Sequence, residues 1–208
     1  MNKNTITQII QNHKPKIIGK QKHYSVFIPF IKVDGEYHIL YQVRANHISQ
    51  GGETSFPGGR IEMGETPEYA AIRETHEELN ISPDQIHVWS EMDYIVSDWA
   101  VIHCFVGELH NVDIDDIFPN EEVNYVFTIP LEQLLKEEPI TKTVDYHPTA
   151  CDDFPYDLIN QGEDYSFRPF THEIMMYKLP SEILWGLTAS LTHQFINVLR
   201  TGVKELVK

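Results

Sequence analysis

Cysteine is almost missing from this chain of 208 residues; Cys104 and Cys151 are its only two. Two such residues do not make a disulfide framework, so the fold must rest on an apolar core, and a reducing cytosol is the expected setting. Cys104 falls in the apolar run VIHCFVGEL and reads as a small buried hydrophobe. Long apolar runs are missing too. No window approaches the ~18–20 apolar residues that span a bilayer. The start MNKNTITQIIQNHKPK lacks the apolar core of a signal peptide, and Leu206-Val207-Lys208 is not a peroxisomal address. A cytoplasmic protein with no membrane partner is expected. Positive charge is the third scarcity. Lys and Arg number 16 against 31 Asp and Glu, a formal net charge of -15. An acidic surface repels phosphate backbones, which argues against a nucleic-acid partner. A small anionic substrate would need local attraction, from a metal and a few basic residues.

What is present concentrates in residues 59–81, GRIEMGETPEYAAIRETHEELNI. Thr66 is placed to cap a helix, with Pro67 at its first position and Glu68 in its first turn. The helix should run from about Pro67 to Leu79, with Ala70, Ala71 and Leu79 packing inward. On it, Glu74, Glu77 and Glu78 share one face. Unmatched, like-charged pairs at that spacing cost a few tenths of a kcal/mol each. A divalent cation among them reverses the sign, because carboxylate oxygens are its preferred ligands. The cluster therefore points to a magnesium site facing a phosphate-bearing substrate.

The rest of the chain fits one domain. Residues 4–13 pattern as a short helix, and Lys14 to Lys22 as a basic linker. Strands are expected at Tyr24–Ile31 and Glu36–Arg44, joined by the hairpin signal Asp34-Gly35. Further strands are expected near Ile86–Met92, Ala100–Leu109 and Tyr125–Ile129, with a helix from Pro130 to Lys136. Residues 142–171 are rich in Asp, Pro, Tyr and Gly without a period, and read as a long surface loop or a hairpin. A last helix is expected from Ser181 to Leu206. This gives residues 1–22 as helix and linker, then one domain over 23–208 with a loop insertion at about 142–171. The class is α/β (α+β), a mixed sheet between helices.

Gly59, five residues, Glu65, seven residues, then Arg73-Glu74-x-x-Glu77-Glu78 resembles the Nudix box of diphosphate hydrolases. Thr75 replaces a larger aliphatic, and Asn80 replaces the usual glycine, the latter mildly since Asn tolerates a left-handed cap. The resemblance implies an α/β/α sandwich and a hydrolase using Mg²⁺ or Mn²⁺. It also implies Glu74, Glu77 and Glu78 as ligands, one of them a candidate base, with the carbonyl of Gly58 adding a backbone ligand. Glycines at 58 and 59 let the loop approach the metal. Arg73 orients Glu65 or Glu77, or is structural. Glu62 and Glu122 are candidates for a further ligand or base, with Glu121 competing with Glu122. Dimers are frequent in the family, so a homodimer is the assembly it suggests.

Leu40 to Gly59, LYQVRANHISQGGETSFPGG, resembles the extended motif of coenzyme A pyrophosphatases, with Arg44, Gly52 and Phe56 in register. Leu184-Trp185-Gly186-Leu187-Thr188-Ala189 resembles a segment those proteins carry on their last helix. Arg44, His47 and Arg60 are the candidate substrate contacts. Trp185 reads as core packing rather than substrate contact, and Gly186 and Thr188 as close helix–sheet packing. Ile48 stands where that family has a basic residue, and Gln50 where it often has His. Coenzyme A carries a 3′-phosphate that needs a cationic partner, so ADP-ribose, NADH or a modified nucleoside triphosphate remain alternatives. A catalytically silent binding module is the reading of a different class; it usually lacks box carboxylates, and here all are present.

Overall fold

The computed structural model describes residues 1–180 and 182–206. Strands β1 (Lys22–Val33) and β2 (Glu36–Arg44) form a hairpin. Its turn residues Asp34 and Gly35 both have positive φ, 51° and 85°, the conformation a tight hairpin turn demands and the one these two residue types tolerate. The strands pair near the turn, Phe30 opposite Ile39, then part. Strands β3 (Thr54–Ser55) and β4 (Gly58–Arg60) enter the gap. β3 pairs with β2 through Val43, and β4 pairs with β1 through Tyr24 to Val26. Residues 54–60 are thus wedged into the sheet.

Helix α2 (Pro67–Leu79) follows, then β5 (Ile86–Glu91), β6 (Ile95–Val96) and β7 (Ala100–Leu109). β7 runs parallel to β1 and carries β5 and β6 antiparallel. β8 (Val123–Pro130) lies antiparallel along the other edge of β2. The result is an eight-stranded mixed sheet. Alternate residues of β1 and β2 supply its two faces. Phe27, Ile31 and Leu40 meet Ala71 and Leu79 of α2. Ile28, Phe30, Ile39 and Tyr41 meet Ala189 and Phe195 of α4 (Gly186–Leu206). Each fully buried Leu, Ile or Phe stabilises this packing by about 1.5–3 kcal/mol. Sheet between helices is the architecture expected, and no helix among the described residues is long and apolar enough to cross a membrane.

Several boundaries differ from expectation. Helix α1 is Lys3–Gln11, capped by Asn2 and without a buried residue, and α3 shrinks to Leu131–Leu134. The last helix begins at Gly186, not 181; Ser181 lies outside the described residues. Ile183–Trp185 is instead a strand, β11, paired with β10 (Phe170–Lys178). Gly186, at φ 60°, turns the chain from strand into helix. Leu184 still reaches the core, but from a strand. Residues 142–171, expected as a long surface loop or a hairpin, have the hairpin form at both ends. β9 (Ile140–Tyr146) pairs antiparallel with β10, and short 3-10 turns at Tyr156–Leu158 and Gly162–Asp164 punctuate the connection. All seven β9 residues are exposed. A strand wet on both faces has no alternation to read.

Candidate active site

Helix α2 is built as its ends suggest. The Thr66 hydroxyl accepts the Tyr69 N–H at 3.2 Å, and Asn80 closes the helix in the left-handed conformation, φ 53°. That placement turns Glu78 into the sheet, where it is 3 % exposed. One carboxylate oxygen accepts the Gly58 N–H at 2.9 Å. Burial pushes the Glu78 carboxyl up to about 7, against an ordinary 4.5, and the Gly58 N–H offsets only part of this. Beside it, the Gln42 amide eases the shift, yet neither of its polar atoms reaches hydrogen-bond geometry. Ser55 sits directly opposite Gln42, and its buried hydroxyl is also unpartnered. Each orphaned polar atom costs about 1–3 kcal/mol unless something else completes it.

Arg73 organises the outer side of the cluster. Its guanidinium grips Glu65 with two bonds, 2.7 and 3.1 Å, and donates to Glu74 at 2.9 Å and Glu77 at 3.0 Å. A fifth bond, 3.1 Å, goes to the Arg60 carbonyl. Arg73 therefore touches Glu74 as well as both carboxylates considered from the sequence. The Arg73 bonds, joined by the Glu62 N–H, hold the Glu65 carboxyl below the usual range. Glu74 is shifted up, chiefly by burial, with Arg73 opposing and the charges of Glu77 and Glu122 adding to the rise.

The two glycines serve different neighbours. A Cβ on Gly58 would strike the Ser25 carbonyl and lie 2.7 Å from the Val26 Cα. A Cβ on Gly59 would overlap the Glu74 carboxylate. Backbone and carboxylates can converge here only because both positions are Gly.

The sequence pattern of the NUDIX domain matches residues 21–149, from β1 through the box to the far side of β9. The chain belongs to the Nudix family. Nudix hydrolase 3 of Caenorhabditis elegans is 29% identical over 184 residues, covering 86% of this chain and 74% of that protein. Mitochondrial coenzyme A diphosphatase NUDT8 of Homo sapiens is 27% identical over 189 residues, 87% of this chain and 71% of its own. A crystal structure of a MutT/nudix family protein from Enterococcus faecalis superposes with a TM-score of 0.52 at 15% identity, covering 95% of this chain and 69% of that one, a likeness of fold.

Nudix hydrolases in general depend on a divalent metal, and the donor set here suits one. It is all oxygen: Glu74, Glu77, Glu78 and the backbone at Gly58, the ligands of a hard cation. Among the described residues, no three acidic, His or Cys side chains already converge as a cluster. Glu74 and Glu77 lean on Arg73, and Glu78 on the Gly58 N–H. Two observations bear on whether these residues suit a cation with its waters. Burial disfavours the charge on Glu78 and Glu74, which a cation would restore. The orphaned atoms of Gln42 and Ser55 offer partners for metal-bound water.

The other candidates in this Nudix hydrolase divide into near and far. Arg44 lies close enough to lower the Glu78 pKa, and its side chain donates to the Ser49 carbonyl at 3.0 Å, closing its own loop. That loop is pinned where Arg44 exchanges backbone bonds with Gly52 and Glu53, each 2.9 Å. His47 is exposed at its tip, and Arg60 is exposed on β4. Glu62 is exposed and joins the network through its backbone. Glu122, rather than Glu121, acts on Glu74; its carbonyl accepts the Ala45 N–H at 2.8 Å, which ties β8 to the Arg44 loop. Trp185 departs from the expected core role, being 42% exposed at the end of β11. Thr188 keeps its packing role, donating to the Thr54 carbonyl at 3.0 Å. Gln42 and Ser55 were not anticipated. A lone amide in the apolar strand ILYQV was the signal available.

Proposed function

We propose that this Nudix hydrolase cleaves coenzyme A, or an acyl derivative, to 3′,5′-ADP and (acyl-)4′-phosphopantetheine. The observation that carries the reading is the closed loop from Arg44 to Glu53, in the register of the coenzyme A pyrophosphatase motif, with Arg44 close enough to lower the Glu78 pKa. The similarity to a coenzyme A diphosphatase across 87% of the chain supports it. Glu74, Glu77, Glu78 and the Gly58 carbonyl would hold Mg²⁺ or Mn²⁺. The cation, when bound, neutralises diphosphate charge and lowers the pKa of water.

The chain's own residues do the rest. Arg73 holds Glu65, Glu74 and Glu77 on one side chain, and Glu74 and Glu77 would turn from it toward the cation as it binds. Arg44 and Arg60 offer positive charge to the phosphates, and His47 a hydrogen bond. Glu122, Glu62 or a box carboxylate takes the proton from the attacking water. Water oxygen bonds to one phosphorus, the bridging P–O bond breaks, and the departing phosphate carries its electrons away. Chromatography of the products from purified protein, coenzyme A and magnesium tests the reading; 3′,5′-ADP and phosphopantetheine are expected in equal amounts. Intact coenzyme A, under conditions where another diphosphate is cleaved, would overturn it. The second reading, ADP-ribose or NADH as substrate, rests on Ile48, which leaves the loop one cation short for a 3′-phosphate.

A further inference from the structure

A cavity of ≈ 630 Å³ opens on the α4 face of the sheet, between Glu53 and Thr54 on one wall and Lys178, Glu182, Ile183 and Trp185 on the other. We infer that this cavity receives the end of the substrate remote from the nucleotide, an uncharged linear arm of the pantetheine kind. The inference rests on the coenzyme A reading above and adds a subsite to it.

The walls are cross-braced. The Thr54 hydroxyl donates to the Ile183 carbonyl at 2.9 Å, and the Thr188 hydroxyl donates to the Thr54 carbonyl at 3.0 Å. The Tyr125 hydroxyl donates to Glu182 at 2.9 Å, and the Leu179 N–H to the Glu182 carbonyl at 3.0 Å. The cavity is therefore formed before a ligand arrives, which limits the entropy lost on binding. Trp185 and Ile183, 42% and 58% exposed, offer apolar area at its rim that no packing requirement explains.

Its place in the fold links it to the box. Thr54 lies opposite Val43 on β2, and Val43 lies opposite Tyr125 on β8. Arg44 and Glu122 are at this same end of the sheet, and Gly58 follows Thr54 by four residues, at most ~14 Å away. The carboxylates occupy the α2 face and the cavity the α4 face. A substrate with its diphosphate at Glu78 would reach the cavity past Arg44 at the sheet end.

Charge decides which end of the substrate goes there. The lining holds Glu53 and Glu182 against Lys178. An extra phosphate would be repelled, whereas a neutral arm would not. Lys178 and the carboxylates can serve amide groups, and Ile183 and Trp185 can cover methyl and methylene groups. Arg44 and Arg60, with His47, remain for the phosphates.

The test uses Trp185→Ala and Ile183→Glu in the full chain, each checked by thermal unfolding. Both are expected to raise KM for coenzyme A about tenfold, the loss of one aromatic or apolar contact. The kcat/KM for coenzyme A relative to ADP-ribose, which has no arm, is expected to fall by the same factor. Equal losses on both substrates, or an unchanged KM for coenzyme A, would overturn the inference. Pantetheine, which lacks both phosphates, is the binding probe: it should alter the fluorescence of the unsubstituted protein and leave that of Trp185→Ala unchanged. Should coenzyme A prove not to be a substrate, the functional reading fails by itself. Pantetheine binding then decides the cavity, and its absence overturns the inference.

Discussion

Replacing Glu78 by Gln separates what the fold prefers from what the chemistry requires. The Glu78 carboxyl titrates near 7 in the folded protein and near 4.5 when exposed. The metal-free folded state therefore holds a proton that the unfolded state releases between those values. Stability contributed by this site is fully present below about pH 4.5 and is lost as pH rises through 7. At about 1.4 kcal/mol per unit, the loss approaches ~3 kcal/mol. Gln has the same shape, accepts the Gly58 N–H through its carbonyl oxygen and does not titrate. In chelator-treated protein, Glu78→Gln should match the parent at about pH 4 and exceed it by up to ~3 kcal/mol near pH 8, roughly 5–10 °C in Tm. Added magnesium should reverse the order, because the parent alone keeps the carboxylate and gains the stability of the bound ion. Turnover should be lost from the variant at every pH. Unfolding curves at the two pH values, with chelator or magnesium, are the measurement. A gap between parent and variant that does not change with pH would refute the argument from burial. A parent that magnesium fails to stabilise would refute the proposed metal role.

Other substitutions probe the remaining parts. Arg73→Met leaves Glu65, Glu74 and Glu77 without their shared cation and should cost about 3 kcal/mol in chemical unfolding; Arg73→Lys should recover only part, since an ammonium cannot reproduce the fork. Gly58→Ala meets backbone and should lower Tm, whereas Gly59→Ala meets the Glu74 carboxylate and should chiefly raise the manganese concentration needed for half-maximal activity. Gln42→Leu removes two orphaned buried atoms, so it should stabilise the metal-free protein by about 1 kcal/mol while slowing turnover. Equal stability and full activity would show that Gln42 serves neither.

Local features were legible because local physics fixes them. The cap at Thr66, the left-handed end at Asn80 and the turn at Asp34-Gly35 depend on residues within one turn of themselves. The longer strands of the main sheet, β1, β2, β5, β7 and β8, were legible because burial on at least one face leaves an apolar pattern; β3, β4 and β6, two or three residues each, are too short to show one. β9 was legible only through the hairpin alternative, because nothing covers it. β11 was misread as helix, since Leu184 and Leu187 fall on a helical period although only the second lies in the helix. Trp185 was misread because an isolated Trp is more often core than rim.

The sequence by itself determined the family, the box helix and the carboxylates that mark its chemistry, because spacing along one helix is a one-dimensional property. Tertiary structure decided which of those carboxylates carries the strain. Glu74, Glu77 and Glu78 look equivalent as letters. Only the wedging of residues 54–60 between β1 and β2 brings Gly58 and Gln42 over Glu78, buries its charge, and leaves Glu77 half exposed on Arg73. The same wedge sets Thr54 against β11 and α4 and so shapes the cavity beside them from residues more than a hundred positions apart. Burial and long-range contact are properties of the assembled sheet, and no local pattern encodes them.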